Sequence, residues 1–439
     1  MRKSSDADCF FEFAKYSSLN VLGMLGLSCY ILADTYFISR GIGADGLTAL
    51  NLAIPVYSFI HGCGLMIGMG AGTRYSLYKS LDHSKETDRL FTNAVLLALS
   101  ASLLFLMTGI FFTGKIVTLL GADVHVYQMT KTYLKVILLF SPLFLMNNVI
   151  LCFVRNDGAP QLAMRAMLSG SLSNIVLDYI FIFPCNMGIT GAVLATGMAP
   201  AVSLLMLSAH FFKKKNQFHF IPCRLTFQRV SGIVISGVPS LVTEVSSGIV
   251  MMIFNAVILN LEGNTGVAAY GVIANISLVV ISIYTGISQG IQPVISRHYG
   301  MGNRSSALAV LKYAVVSMLL FSALIYAGIF LYAEQLSSIF NKDQNELLQL
   351  IAVKGLRIYF TSCAPAGFNI IISAYFTSCA HPVPANLISM LRGFVVIIPL
   401  AFLLSATAGM TGVWCTLPCT EFAVSIVGIA FYRTYGQSG

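Results

Sequence analysis

Apolar residues run along this chain in twelve stretches of about 20 or more, the length that crosses a hydrocarbon core of about 30 Å as a helix. They cover approximately residues 16–38, 50–73, 90–113, 131–153, 163–183, 189–212, 230–260, 266–296, 305–332, 347–376, 385–404 and 410–432. Polar connections between them are short. The longest runs 17 residues from Lys213 to Arg229, too few for a soluble domain. The pattern predicts an all-α membrane protein of 12 transmembrane helices.

The second half of the pattern repeats the first at an offset of 221 to 223 positions. Gly188, Thr190 and Gly191 fall on Gly409, Thr411 and Gly412; Ala201, Val202 and Ser203 fall on Ala423, Val424 and Ser425. Gly64 and Gly68 fall on Gly286 and Gly290, Pro142 on Pro365, and Pro160 on Pro382. Six helices per copy is an even number, so both copies share one orientation, related by an axis along the membrane normal. The expectation is two pseudo-symmetric six-helix bundles, residues 1–220 and 221–439, with the basic Lys213–Arg229 loop as the joint between them. Parallel repeats of this kind are a transporter design. Glycines crowd the second segment at positions 62, 64, 68, 70 and 72, where they suit either moving helices or plain close packing.

Composition agrees with the hydropathy pattern. Of 439 residues, 56% are hydrophobic and 10% charged, and mean hydropathy is +0.80. Nineteen lysines and arginines lie on one side of the predicted topology and seven on the other, which places both termini in the cytoplasm. The net charge of +9 then reflects this bias and attraction to anionic membrane lipids, and calls for no nucleic-acid partner. Asp6, Asp8 and Glu12 precede the first apolar stretch without a cleavage pattern, so that stretch reads as a retained helix.

Against this apolar background Asp34 and Asp178 stand out, each the lone acid of its membrane-length run. A charge near mid-membrane costs about 2.5 to 3.5 kcal/mol on insertion scales, so each marks a candidate functional site. At 1.5 Å per residue, Asp34 lies about 6 Å from the outer end of the first segment and Asp178 about 8 Å from that of the fifth. Asn174 sits one turn from Asp178 on the same face, and Thr196 enters about 10 Å along the sixth segment. Two carboxylates, an amide and a hydroxyl thus share one level, with Gly188, Gly191 and Ala192 offering close backbone. Such oxygens suit a hard cation, and two neighbouring acids equally suit a shared proton; sodium and proton both remain open. The repeat places Ala256, Val396 and Leu400 where Asp34, Asn174 and Asp178 stand, so the site is not duplicated. Glu244 and Glu421 are the acids expected to be buried in the second half, both closer to mid-membrane, and Arg392 can pair with either or contact substrate.

Other patterns fail in context. Gly41, Gly43 and Gly46 spell G-x-G-x-x-G in a loop between membrane helices, without a strand to support dinucleotide binding. There is no Walker A sequence and no nucleophile with its base, which argues against an enzyme and against a bound cofactor. His61 and His210 lie on apolar segments without partners at metal spacing, and packing is their expected role.

The segments ADTYFISRGIGADGLTALNLAIP around Asp34, NIVLDYIFIFPCNMGITGAVLAT from Asn174 to Thr196, and GISQGIQPVISRHYG from Gly286 to Gly300 resemble the multidrug and toxic compound extrusion (MATE) family along all twelve segments. Within that family the chain is most similar to bacterial MepA-type exporters. The resemblance implies a V-shaped fold of two bundles in the cytoplasmic membrane, exporting small cationic, lipophilic organic compounds in exchange for Na+ or H+. It implies a cation site at Asp34, Asn174, Asp178 and Thr196, with the Ala192 carbonyl, and places Tyr133 and Asn148 along the same lobe. Glu244, Arg392 and Glu421 join these two as candidate lining of the substrate cavity, and a monomer is expected. A lipid-linked oligosaccharide flippase would share the architecture but needs a basic cavity, and a polytopic membrane enzyme needs a reactive cluster that the sequence lacks.

Overall fold

The computed structural model describes residues 6–341 and 344–435, and every regular element among them is helical. The first copy contains α1 (Asp6–Gly41), α2 (Ala44–Ser80), α3 (Ser84–Phe111), α4 in two pieces (Val124–Leu139 and Ser141–Asn156), α5 (Pro160–Ile182) and α6 (Gly188–Phe212). The next stretch, Phe227–Gly300, runs 74 residues. At 1.5 Å per residue that is about 110 Å, far more than one crossing can use. Non-helical backbone at Gly263 (φ 61°, ψ −153°) divides it into α7 (227–262) and α8 (264–300). Then come α9 (Arg304–Leu331) and α10, whose pieces Glu346–Tyr359 and Cys363–Ser378 meet at a 3-10 turn. Gly409 (φ 54°, ψ −136°) separates α11 (382–408) from α12 (410–435).

Eight of these stretches qualify as membrane spans on length and composition, and the α4 pair, bent by 46°, makes a ninth. The two glycine breaks and α5, which carries Asp178, bring the described residues to the twelve predicted crossings.

The connectors carry the duplication more plainly than the helices do. Left-handed backbone recurs at Gly43 and Gly263, Asp82 and Gly302, Gly121 and Gln344, Gly158 and Ala380, and Gly188 and Gly409, all near the offset of the sequence repeat. Asp123 caps α4 by accepting from the His125 and Val126 amides, and Asn345 caps α10 by accepting from the Leu348 amide. Pro160 and Pro382 both occupy the first turn of their helices, where the missing N–H costs nothing. Turn chemistry is thus conserved between the halves.

Two compact units form, and their division does not follow residue 220. One holds residues 18–245 and 296–304; the other holds 246–295 and 305–439 together with the start of α1. In the first unit α2 shows glycine on two faces. Cβ atoms at Gly64, Gly68 and Gly72 would stand 2.7 to 2.8 Å from Asn148 and Asn156 of α4. On the other face, Gly70 lies against the Ile233 carbonyl of α7, and Gly237 of α7 lies against the Met66 carbonyl. Backbone-to-backbone contact this close is available only to glycine, and it draws the start of α7 into the first unit. In the second unit a Cβ at Gly290 would stand 2.7 Å from Ser17 Cα, and Phe10 meets Tyr313 edge-on at 5.4 Å, which fastens the start of α1 there.

The basic connector, expected as the joint, is strapped along the first unit. Phe218 is fully buried among Tyr75, Phe91, Phe153 and His210. The His219 amide donates to Asp88 and the Ile221 amide to Thr92. Asp157, between α4 and α5, accepts from the Tyr75 hydroxyl and Lys79 at 2.6 Å each, from His210 at 2.8 Å and from the Gln217 amide at 2.9 Å. His210 therefore has a carboxylate partner, contrary to the packing role expected for it. Arg155, expected among the loop charges, is fully buried and donates to Asn20 at 2.9 Å.

Two stability tests follow from these contacts. Gly237→Leu drives a side chain into the Met66 carbonyl and is expected to destabilise by about 1 to 3 kcal/mol, whereas Gly328→Ala, with open space around it, stays within about 1 kcal/mol; thermal unfolding in detergent compares them. Burial alone would raise the proton affinity of Asp157, but His210, Lys79, Tyr75 and the Gln217 amide outweigh it and hold its carboxyl below the usual range. A depressed value means stabilisation present above the unfolded carboxylate value of about 3.9 and lost as pH falls through the folded one. Asp157→Asn is expected to cost about 3 kcal/mol at neutral pH, with the melting curves of variant and parent converging in acid.

Candidate cation site

The α5–α6 hairpin sets the site. Asn174 and Thr196 each lie 11 residues from Cys185 in the turn, so an antiparallel pair must bring them level. The turn itself is tight: the Cys185 amide donates to the Ile180 carbonyl, the Met187 amide to the Phe181 carbonyl, and Asn186 and Gly188 adopt left-handed backbone. A Cβ at Gly191 would stand 2.8 Å from Phe181, so glycine lets α6 close on α5. Four residues after Asn174, Asp178 repeats its face, and both side chains are fully buried.

In the orientation that satisfies both amide atoms, Asn174 donates to Asp178 Oδ2 at 3.0 Å and accepts from the Thr196 N–H at 3.2 Å. The Thr196 hydroxyl donates to the Ala192 carbonyl at 3.2 Å. Asp34 arrives from α1, 6% exposed, and its carboxyl is in hydrogen-bonding contact with that of Asp178. Tyr133 of α4 is 3% exposed, reaches Thr196, and lies in the field of both acids. Five of the predicted residues, Asp34, Asn174, Asp178, Ala192 and Thr196, therefore come together, with Tyr133 beside them.

The charges decide what this arrangement can do. Two carboxylates in contact and out of water cannot both stand charged without a positive species to offset them. Asp34 Oδ1 and Asp178 Oδ1 are buried and accept no hydrogen bond from the described residues. A proton between the acids satisfies the pair directly. A small hard cation fits the same set, which offers carboxylate, amide, hydroxyl and carbonyl oxygens.

The other candidates are placed apart from this cluster. Asn148, about 22 Å along α4 from Tyr133, packs against Gly64 and Gly68 of α2. Glu244 of α7, grouped with Glu421 as a buried acid of the second half, belongs to the first unit and keeps 30% of its side chain exposed. His61 Nδ1 of α2 lies 3.5 Å from it, so this histidine is an ion-pair candidate where packing was expected. In the second unit Arg392 pairs with Glu421 through Nε at 3.2 Å and a terminal nitrogen at 2.7 Å. Asn369 closes the other side of Glu421 at 2.7 Å. Arg392 sits on a π-helical turn, Leu391–Val395, a local widening that swings its side chain toward α12.

Three residues near the site had not been singled out for it by their sequence. The Tyr30 hydroxyl lies 3.1 Å from that of Tyr57, and Tyr57 stacks on His61. Only Tyr30 carried a readable signal, since it shares a helix face with Asp34 one turn away.

Comparison with known proteins fits this fold. A family model described as MatE matches residues 21–180 and 239–403. The multidrug export protein MepA of Staphylococcus aureus (strain MRSA252) is 26% identical over 415 residues, covering 94% of this chain and 91% of that protein. MepA of Staphylococcus saprophyticus is 25% identical over 403 residues, covering 90% and 88%. Among solved structures, a MATE protein in complex with MaL6 is 25% identical with a TM-score of 0.89 over 96% of this chain and 95% of that one. An outward-facing multidrug resistance MATE family transporter of the MOP superfamily shares the fold, at 23% identity and a TM-score of 0.90 over the same shares.

Asn174→Leu removes the donor to Asp178 and the acceptor for Thr196 together. It is expected to destabilise by about 1 to 3 kcal/mol, read as a lowered unfolding temperature in detergent that Asn174→Asp does not reproduce at acid pH.

Proposed function

Since the chain belongs to the MatE family, we propose that it is a multi-pass cell-membrane antiporter that exports cationic, lipophilic organic compounds in exchange for sodium ions or protons. The observation that carries this reading is the contact between Asp34 and Asp178, two buried acids that need a positive species and have two oxygens free to hold it. The names of the MepA relatives support the class of cargo. Both termini lie in the cytoplasm on this reading, which the distribution of lysine and arginine supports. The protein works as a monomer.

Coupling needs only that ion and cargo favour different states or compete for one. A cation or proton at Asp34 and Asp178 neutralises the pair and lets α1, α5 and α6 stay closed around it. Without it the repulsion between the acids favours their separation. Cargo and ion thus exchange across the same helices, in the first unit.

A flippase for lipid-linked oligosaccharides would need basic groups free to bind pyrophosphate. Of the candidates that the sequence offered for this, Arg392, Lys312 and the basic residues at helix ends, Arg392 is engaged with Glu421 instead. That engagement favours export of cations over transfer of an anionic lipid.

Reconstituted protein, loaded with ethidium and given separate sodium and proton gradients, tests the reading. Efflux is expected to follow one gradient and to fall by about 5- to 150-fold, the scale of a typical coupling free energy, in Asp178→Asn and in Asp34→Asn. Unchanged gradient-driven efflux in both variants would overturn the assignment.

A further inference from the structure

The connector between the two copies carries apolar rings where a solvated loop has no use for them. Phe220 is 59% exposed and Phe227 89%, and Phe212 and Leu225 are exposed beside them, although none lies in the interior of a spanning helix. Single exposed apolar residues are ordinary, but four large ones this close in sequence make a patch that water disfavours. They are held outward. Phe218 is buried in its aromatic cage, and the amides of Gln217, His219 and Ile221 are taken by Asp157, Asp88 and Thr92, so the backbone between the rings cannot turn over.

The same bonds fix the depth of the strap. His219 meets Asp88, Ile221 meets Thr92 and Cys223 meets Asn93, which are the fifth, ninth and tenth residues of α3. At 1.5 Å per residue these levels span about 8 Å, around the point near residue 90 where the apolar run of α3 begins. A headgroup layer is about 5 to 8 Å thick on each side of the hydrocarbon core. Non-helical backbone that faces lipid is excluded from that core, and exposed rings are disfavoured in bulk water, so the headgroup layer is the one position that suits both.

The basic residues of the strap divide by direction. Arg229 pairs with Glu86 at 3.2 Å, and His219 lies 3.5 Å from Asp88, both on the first unit. Lys213, Lys214, Lys215 and Arg224 are exposed, and among the described residues no acid pairs with them. Lys214 adopts left-handed backbone (φ 51°), which sets the three lysines on a sharp turn at the end of α6. Lysines there also suit the helix dipole. The dipole accounts for neither Arg224 nor the outward rings.

We propose that the connector is a binding site for anionic phospholipid, in which lipid phosphates engage Lys213, Lys214, Lys215 and Arg224 while Phe212, Phe220 and Phe227 enter the acyl boundary. Basic groups near an anionic leaflet and apolar rings at its surface reinforce each other. The occupant is a lipid and not a soluble anion, because only a lipid offers the rings an apolar contact. The charge bias that orients the chain requires basic residues on this side, but neither a fixed depth for them nor rings beside them. Lipid charge thereby fastens the connector to the first unit, a role that goes beyond the export reading and does not rest on it.

Native mass spectrometry of the purified full-length protein, titrated in detergent with phosphatidylglycerol or with phosphatidylcholine of the same acyl chains, tests the proposal. Parent protein is expected to bind phosphatidylglycerol more tightly, with a preference that falls as ammonium acetate is raised. Replacing Lys213, Lys214 and Lys215 together by glutamine is expected to weaken phosphatidylglycerol binding about 10- to 150-fold, each lysine contributing up to about 1 kcal/mol near an anionic surface, and to leave phosphatidylcholine binding unchanged. Phe220→Ser with Phe227→Ser is expected to weaken both lipids alike. Lys115→Gln, Lys131→Gln and Lys135→Gln together remove the same charge from the opposite side of the predicted topology and are expected to keep the preference. Matching gel-filtration profiles and unfolding temperatures without added lipid establish that the variants are folded. Parent-like binding in either connector variant, an equal loss in the opposite-side variant, or displacement of the lipid by millimolar inorganic phosphate overturns the site.

Discussion

The contact between Asp34 and Asp178 is the constraint around which the first unit is organised. Both acids are taken out of water, and among the described residues no donor reaches one oxygen of each and no cation forms an ion pair with either. Such a pair is stable only with a positive species that can come and go. Everything around it serves placement: the tight α5–α6 turn levels Asn174 with Thr196, Asn174 holds Asp178, and α1 carries Asp34 across to meet it. A membrane interior supplies no water to relax a misplaced carboxylate, so this geometry has to be built by the helices themselves.

The remaining buried charges are handled in another way, and the contrast separates structure from function. Asp157 is enclosed by four donors and ties the connector between the copies to the first unit. Glu421 is matched by Arg392 and Asn369 inside the second unit. Both acids are fully partnered, which makes them poor places for an ion to exchange and good places to fix packing. Glu244 falls between these cases, with 30% of its side chain exposed and His61 Nδ1 3.5 Å away.

Duplication and divergence act on different parts of the chain. Left-handed connector residues, helix caps and first-turn prolines recur at one offset through both copies, because each copy must turn its chain at the same membrane surfaces. The chemistry does not recur, since the positions of Asp34, Asn174 and Asp178 are taken by Ala256, Val396 and Leu400. The copies also trade their opening stretches between compact units, with glycine contacts at Gly70 and Gly237 in one and at Gly290 in the other. Pairs of glycines spaced by four signalled that helices approach closely somewhere, but not which helices.

Sequence alone determined the twelve crossings, the repeat and the level of the Asp34 site, because each depends on local quantities: apolar length, rise per residue and the rarity of charge in an apolar run. The hairpin geometry of α5 and α6 belongs with them, since a short turn leaves two helices little freedom. Tertiary structure decided the pairings. Whether Arg392 takes Glu244 or Glu421, whether His61 and His210 pack or pair, and whether the Lys213–Arg229 connector hinges or straps depend on which helix faces lie together. Those partners stand 29 to 183 residues apart, as in Arg392 with Glu421 and His61 with Glu244. Periodicity specifies a helix and its faces, but only packing specifies the neighbour, and for an intramembrane charge the neighbour decides whether it is fixed or exchangeable.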